Sequence, residues 1–294
     1  MAGLRQTITA ILGAGLALAG CAFVADTARV GSAVVQPPAI FHKIGRSVQF
    51  TRAASAEPSA PKFVARAAGA IAGSGDARIV AAPEASPWDR FEGELVGPTH
   101  EVARVSGAEV GVSPHPEDAP AISLSNTSPR GAPRVFLVVS DAGDWLQVLL
   151  PLRPNNSVGW IRRSDVEITS SSYRVVIERA SHRIHVFDGD ELVVDDAVAV
   201  GKANTPTPTG QFFTIELLQP ANASGAYGPY AFTLSAYSNV FQTFGSGDGA
   251  VGLHGTNEQN SIGRDASHGC VRLRNDTVRA LATFLPLGTP VFIR

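Results

Sequence analysis

His254-Gly255-Thr256, followed downstream by Ser267-His268-Gly269-Cys270-Val271-Arg272, is the stretch that decides the reading of this chain. A histidine stands sixteen residues before a cysteine, and a second histidine two residues before it. The setting is Gly-containing and loop-like. The chain has 2 cysteines, and Cys21 belongs to a separate N-terminal signal, so a Cys21–Cys270 disulfide is not expected. A lone thiol in an exported protein is exposed to oxidation, and its presence points to chemical use.

The chemistry follows from what a thiol needs. The thiolate is the attacking species, so a base or cation nearby must favour it. Val251-Gly252-Leu253 reads as a short strand that ends on His254. The thirteen residues between the two histidines are polar and Gly-containing, long enough for a loop that returns to the same place. Gly269 lets the chain turn tightly. The N–H groups of His268, Gly269 and Cys270 are then candidates for an oxyanion hole. Arg272, two residues past Cys270, is a candidate for holding a substrate carboxylate or carbonyl. Two other readings compete. A buried cysteine is commonly a small hydrophobe, but His268, Gly269 and Arg272 make a poor core setting. A zinc site from His254, His268 and Cys270 lacks the usual paired spacing and a fourth ligand, so neither metal nor other cofactor is expected.

These residues resemble the L,D-transpeptidase family, with its YkuD-type catalytic domain. The family pattern is a histidine, a gap of this length, then Ser/Thr-His-Gly-Cys, an apolar residue, and Arg or Asn. Two further blocks support the likeness: Gly201-Lys202-Ala203-Asn204-Thr205-Pro206-Thr207-Pro208-Thr209-Gly210-Gln211-Phe212 and Ala226-Tyr227-Gly228-Pro229-Tyr230. The resemblance spans about Tyr173 to Arg294. It implies a β-sandwich domain and an acyl transfer on peptidoglycan tetrapeptide stems. Cys270 would be the nucleophile and His254 its base. Ser267, His268, Gly269 and Gly255 would shape the site, Arg272 would bind substrate, and Tyr227 would form a lid or wall. The product would be a 3→3 cross-link, and carbapenem-type β-lactams would be inhibitors. Many relatives carry Ser after the first histidine where this chain has Gly255, so the acceptor orienting His254 is expected to be a backbone carbonyl at or near Gly255. The same acyl-enzyme resolved by water would make an L,D-carboxypeptidase. Resolved by a protein amine, it would attach that protein to the wall. A non-catalytic wall-binding lipoprotein is a further alternative.

The remaining sequence frames this site. The formal net charge of -2 gives no reason to expect nucleic acid. Residues 1–20 read as a lipoprotein signal peptide: Arg5, an apolar run from Ile8 to Ala19, then Leu18-Ala19-Gly20-Cys21, with Cys21 as the acylated residue. An ordinary Ala17-Leu18-Ala19 cleavage site and an uncleaved anchor are the competing readings. Two acyl chains on Cys21 would anchor the protein to a bacterial membrane, facing the cell wall. Residues 21–90, rich in Ala, Pro, Ser and Arg, read as a disordered tether.

Residues 91–170 read as a small SH3-like β module. Arg134–Val139 and Trp145–Leu150 are strand-like runs around the turn-prone Ser140–Asp144, and a loop leads to Val158–Ile161. Residues 172–294 read as mainly β, with strands at Tyr173–Ile177, Arg183–Phe187, Leu192–Val200, Gln211–Glu216, Tyr230–Leu234 and Val251–His254. Asn275 is the expected N-cap of one short C-terminal helix, whose apolar face is Val278, Leu281, Ala282 and Leu285. The fold class expected is therefore mainly β, a small module followed by the sandwich.

Overall fold

A computed structural model describes residues 88–294 except 96, 129, 245 and 246. The signal segment, Cys21, and all but the last three residues of the expected tether lie outside the described residues. The described fold is mainly β. Its strands are β1 (Asp89–Arg90), β2 (His100–Val105), β3 (Glu109–Val112), β4 (Ile122–Ser125), β5 (Val135–Asp141), β6 (Trp145–Leu149), β7 (Ser157–Arg162) and β8 (Val166–Ser171). There follow β9 (Tyr173–Glu178), β10 (Arg183–Asp188), β11 (Glu191–Ala197), β12 (Val200–Gly201), β13 (Gly210–Leu218), β14 (Ala231–Tyr237), β15 (Ala250–His254), β16 (Asp265–Ser267) and β17 (Val271–Arg272). The helix α1 (Asn275–Phe284) and strand β18 (Pro290–Ile293) close the fold.

A six-stranded sheet runs β1-β7-β6-β5-β2-β8, so it draws only on Asp89 to Ser171. Val-rich β5, whose β-branched side chains pack well on a pleated surface, sits in the middle beside β6. Trp145 is buried, donates its indole N–H to Glu117 Oε1 at 3.0 Å, and lies under the Arg162 guanidinium, 4.4 Å from the ring centroid. The sheet takes in described residues ahead of position 91. Trp88 packs into this core, and Asp89–Arg90 pair with Ser157–Val158.

An eight-stranded sheet runs β11-β10-β9-β18-β13-β14-β15-β17, all from Tyr173 onward. Its core joins Val175, Ile177, Phe212, Phe232 and Leu253 to Val278, Leu281 and Leu285 from the helix side. Each such side chain, fully buried, contributes about 1.5–3 kcal/mol. The helix starts at Asn275 and its N-cap position is Arg274, one residue before the expected cap. The Asn275 carboxamide is committed elsewhere: its Oδ1 accepts the Thr256 N–H at 2.8 Å. The expected single strand over Leu192–Val200 is broken into β11 and β12, and β12 leaves to pair in parallel with β16.

The two sheets meet in a third apolar cluster. Phe213 of β13 and Leu287 pack against Val102, Val135, Leu137 and Leu149. Gly288 (φ +88) lies so near Val102 that a Cβ there would approach its Cγ1 to 2.4 Å.

Candidate active site

Parallel pairing of β15 with β17 brings the two halves of the motif together. Leu253 partners Val271 and His254 partners Arg272. Cys270 stands immediately before β17, two residues ahead of the Arg272 that partners His254. Cys270 is 2% exposed and His254 3%. Cys270 is therefore not on an open loop, as the Gly-containing sequence suggests. The 267–270 turn is folded inward because Lys202 N–H and Thr205 Oγ1 both donate to the Ser267 carbonyl, at 3.0 and 3.3 Å. The 201–209 block thus serves as a floor under the turn. Gly201 permits this: a Cβ there would approach Thr205 O to 2.3 Å.

Ser267 orders the turn from within. Its buried hydroxyl donates to the Cys270 carbonyl at 2.5 Å and accepts the Gly269 N–H at 3.1 Å. The Gly269 N–H is consequently used inside the turn, unlike the expectation that it would join an oxyanion hole. Gly269 has φ +124, a conformation that side-chain-bearing residues rarely adopt.

His254 Nδ1 lies 2.6 Å from the Gly255 carbonyl oxygen. A carbonyl can only accept, so Nδ1 carries the proton and the neutral ring has its lone pair on Nε2. Nε2 is buried and bonded to no described group. The Tyr227 ring packs edge-on against the imidazole, with centroids 4.9 Å apart. That contact depends on two glycines. Gly228 (φ +65) and Gly255 approach each other and Asn275 so closely that a Cβ would lie 2.5 or 2.4 Å from Asn275 Oδ1. A serine at position 255 would not fit this packing.

A small cavity of about 10 Å³ lies beside Cys270. His268, Gly269 and Cys270 form one side, and Phe241, Phe244 and Val251 the other. The Phe241 and Phe244 rings meet edge-on at 5.0 Å, and Phe244 lies 5.7 Å from the His268 ring. His268 Nδ1 is buried with no hydrogen-bond partner among the described groups. Phe241 and Phe244 are not among the site residues expected from the sequence. Their spacing, Phe-x-x-Phe in a Ser/Gly-rich connection, was the available signal.

Arg272 is placed differently from a surface substrate clamp. It is 7% exposed, and its Nη1 donates to Glu258 Oε2 at 2.5 Å. Asp276, a plausible partner by proximity, pairs with Arg279. The Arg272 Nε is buried with no described partner, whereas the Glu258 side chain is 56% exposed. Beyond Glu258, residues Asn257, Gln259, Asn260 and Arg264 line a polar, open depression.

As an ensemble, the site offers a thiol, an imidazole in the base-competent tautomer, an aromatic-walled pocket and a buried guanidinium. The L,D-transpeptidase catalytic domain (YkuD) family model matches residues 172–293. YkuD of Bacillus licheniformis, assigned by name to the L,D-transpeptidases, is 36% identical over 121 residues. The match covers 41% of this chain and 65% of that protein. YqjB of Bacillus subtilis, assigned likewise, is 32% identical over 124 residues, 40% of this chain and 69% of its own length. The chain thus spans about two thirds of the length of these curated relatives. A solved L,D-transpeptidase from Mycobacterium smegmatis gives a TM-score of 0.37 at 16% identity, over 63% of this chain and 99% of that one. On the sequence matches, which cover the strands and turns that carry the site, the chain belongs to the L,D-transpeptidase family through a YkuD catalytic domain.

Proposed function

We propose that the chain is a peptidoglycan L,D-transpeptidase acting through a Cys270 thioester. The observation that carries this reading is His254, with Nδ1 held by Gly255 and Nε2 buried, on the strand that pairs with β17 immediately after Cys270. His254 removes the thiol proton, and the sulfur attacks the carbonyl of the third, diamino residue of a tetrapeptide stem. A C–S bond forms as the C–N bond to the terminal D-alanine breaks, and His254 returns the proton to the leaving amine. The side-chain amine of a second stem then attacks the thioester. A 3→3 amide forms as the C–S bond breaks, the amine's proton passes to His254, and the thiolate is released. Backbone N–H groups of the 268–270 turn other than that of Gly269 stabilise the oxyanion. Carbapenem-type β-lactams would acylate the same sulfur through their strained carbonyl.

The products test this function. Full-length protein given purified tetrapeptide muropeptides should yield dimers, read by mass spectrometry. Tripeptide monomers alone would instead establish an L,D-carboxypeptidase. Transfer only to an added protein amine would establish wall attachment, and unchanged muropeptides would leave a wall-binding role.

Arg272 is proposed to receive a donor carboxylate or carbonyl in exchange for Glu258, which is exposed enough to swing away. A planar guanidinium makes two parallel bonds that an ammonium cannot reproduce. Arg272→Lys should lower acylation by a tetrapeptide by about tenfold or more. Alkylation of Cys270 by iodoacetamide should change little. Glu258→Gln should leave both rates nearly as they are. A parallel fall of acylation and alkylation in both variants would assign Arg272 to bracing the 256–261 turn.

The chain is further proposed to be lipid-anchored outside the cytoplasmic membrane through Cys21, with residues 91–170 as a module carried next to the catalytic domain. Cys21→Ala should release the protein from the membrane fraction or stall its processing. A mature N-terminus without acyl mass would refute the anchoring.

A further inference from the structure

The pocket wall beside Cys270 is held from the other sheet. Phe241 and Phe244 lie in the segment joining β14 to β15, whose described ends close on each other through Ser238 N–H and Gly249 O at 2.9 Å. Three carbonyls of this segment converge on one guanidinium that the segment does not supply. Arg153, in the loop between β6 and β7, donates from Nη1 to Ser238 O at 2.7 Å. Its Nη2 donates to Phe241 O at 2.9 Å and to Asp248 O at 3.0 Å. Three carbonyl dipoles facing one another repel, and a planar cation with a forked donor set satisfies all three.

The same loop makes further ties. Asn155 donates to Tyr237 O at 2.7 Å and accepts the Tyr237 N–H at 2.9 Å. The Tyr237 hydroxyl donates to Pro151 O at 2.8 Å, and the Arg153 guanidinium lies 4.8 Å from its ring centroid. Burial, with the Asp248 carboxylate adding to it, pushes the Tyr237 phenol up to about 12, so it remains a donor throughout the neutral range. Gly249 (φ +77) leaves the room Arg153 needs, since a Cβ there would approach Nη2 to 2.8 Å.

We propose that Arg153 is a positioning residue for the acyl donor: it fixes the Phe241/Phe244 wall beside Cys270, which makes the small β module a working part of the pocket. The proposal rests on the transpeptidase reading for its catalytic consequence, but not for the clamp itself. A wall displaced by about 1 Å is enough to cost up to roughly 100-fold in a reaction that depends on orientation.

Two readouts on the full chain test it, with wild type, Arg153→Ala and Arg153→Lys compared. In Arg153→Ala, amide hydrogen exchange in peptides covering 237–249 should rise about tenfold or more, with the rest of the eight-stranded sheet unchanged. The kcat/KM for acylation by disaccharide-tetrapeptide should fall about 10- to 100-fold, while iodoacetamide alkylation of Cys270 stays within about twofold. Arg153→Lys, which keeps the charge without the fork, should fall between and guards against a folding failure of the alanine variant. Unchanged exchange in 237–249 overturns the clamp. Raised exchange with unchanged acylation overturns the positioning role. So does a chain-wide rise in exchange with acylation and alkylation falling together, which is a general folding defect. If the wild type is not acylated, the transpeptidase reading fails separately, and the exchange comparison still decides the clamp.

Discussion

Cys270→Ala removes acyl transfer from tetrapeptide stems, by a factor on the order of 10⁶ in kcat, the scale reached when the nucleophile is lost from groups that act as a unit. The fold should survive. Cys270 is buried, but its neighbours Ser267, Gly269 and Lys202 hold the turn through backbone and hydroxyl bonds that do not involve the thiol. Removing one sulfur atom from the pocket edge should cost about 1 kcal/mol, so the unfolding midpoint should move by only a few degrees. Donor consumption by the variant at the wild-type rate would show that the reaction uses another residue.

His254→Ala should slow acylation by about 10²–10⁴-fold, the range for a lost acid–base group. The effect should be smaller for a reagent that needs no proton delivered to a leaving amine. A carbapenem, whose ring opening relieves strain, should therefore lose less than the tetrapeptide does. The Gly255 carbonyl fixes the tautomer, so this difference reports the Nε2 proton traffic and not a tumbling ring. Equal losses with both reagents would place His254 in thiolate formation alone.

The strands rich in β-branched and aromatic residues were legible because local composition and burial agree there: β5, β6, β9, β10 and β13 fall within a residue or two of their expected spans. His100–Val105 mixes charged and apolar positions in a way that mimics a loop, so β2 and its partner β8 escaped notice. The two-residue β12 and β17 carry too little pattern to be seen, yet their pairing places the Cys270 turn. The helix was readable from Val278, Leu281 and Leu285. Its first residue was not, because Asn275 spends its side chain on Thr256 across the site.

The candidate site divides in the same way. His254, Cys270 and the turn around Ser267 form a compact signature whose spacing reflects one strand and one returning loop. Gly255 followed from the need for a backbone acceptor, but the crowding against Asn275 that requires a glycine is a tertiary fact. The Glu258 partner of Arg272 lies fourteen residues away on a turn with no periodicity. Arg153 reaches carbonyls 85 to 95 residues ahead, and backbone carbonyls leave no mark in a sequence.

The central claim is that a stem peptide becomes covalently attached to Cys270 with loss of its terminal D-alanine. Mass spectrometry of protein quenched during reaction with a disaccharide-tetrapeptide, followed by digestion, tests it most directly. An added mass equal to the donor less one alanine is expected on the peptide containing Cys270. Labelling of any other residue, or turnover of the donor with the Cys270 peptide never modified, would contradict it.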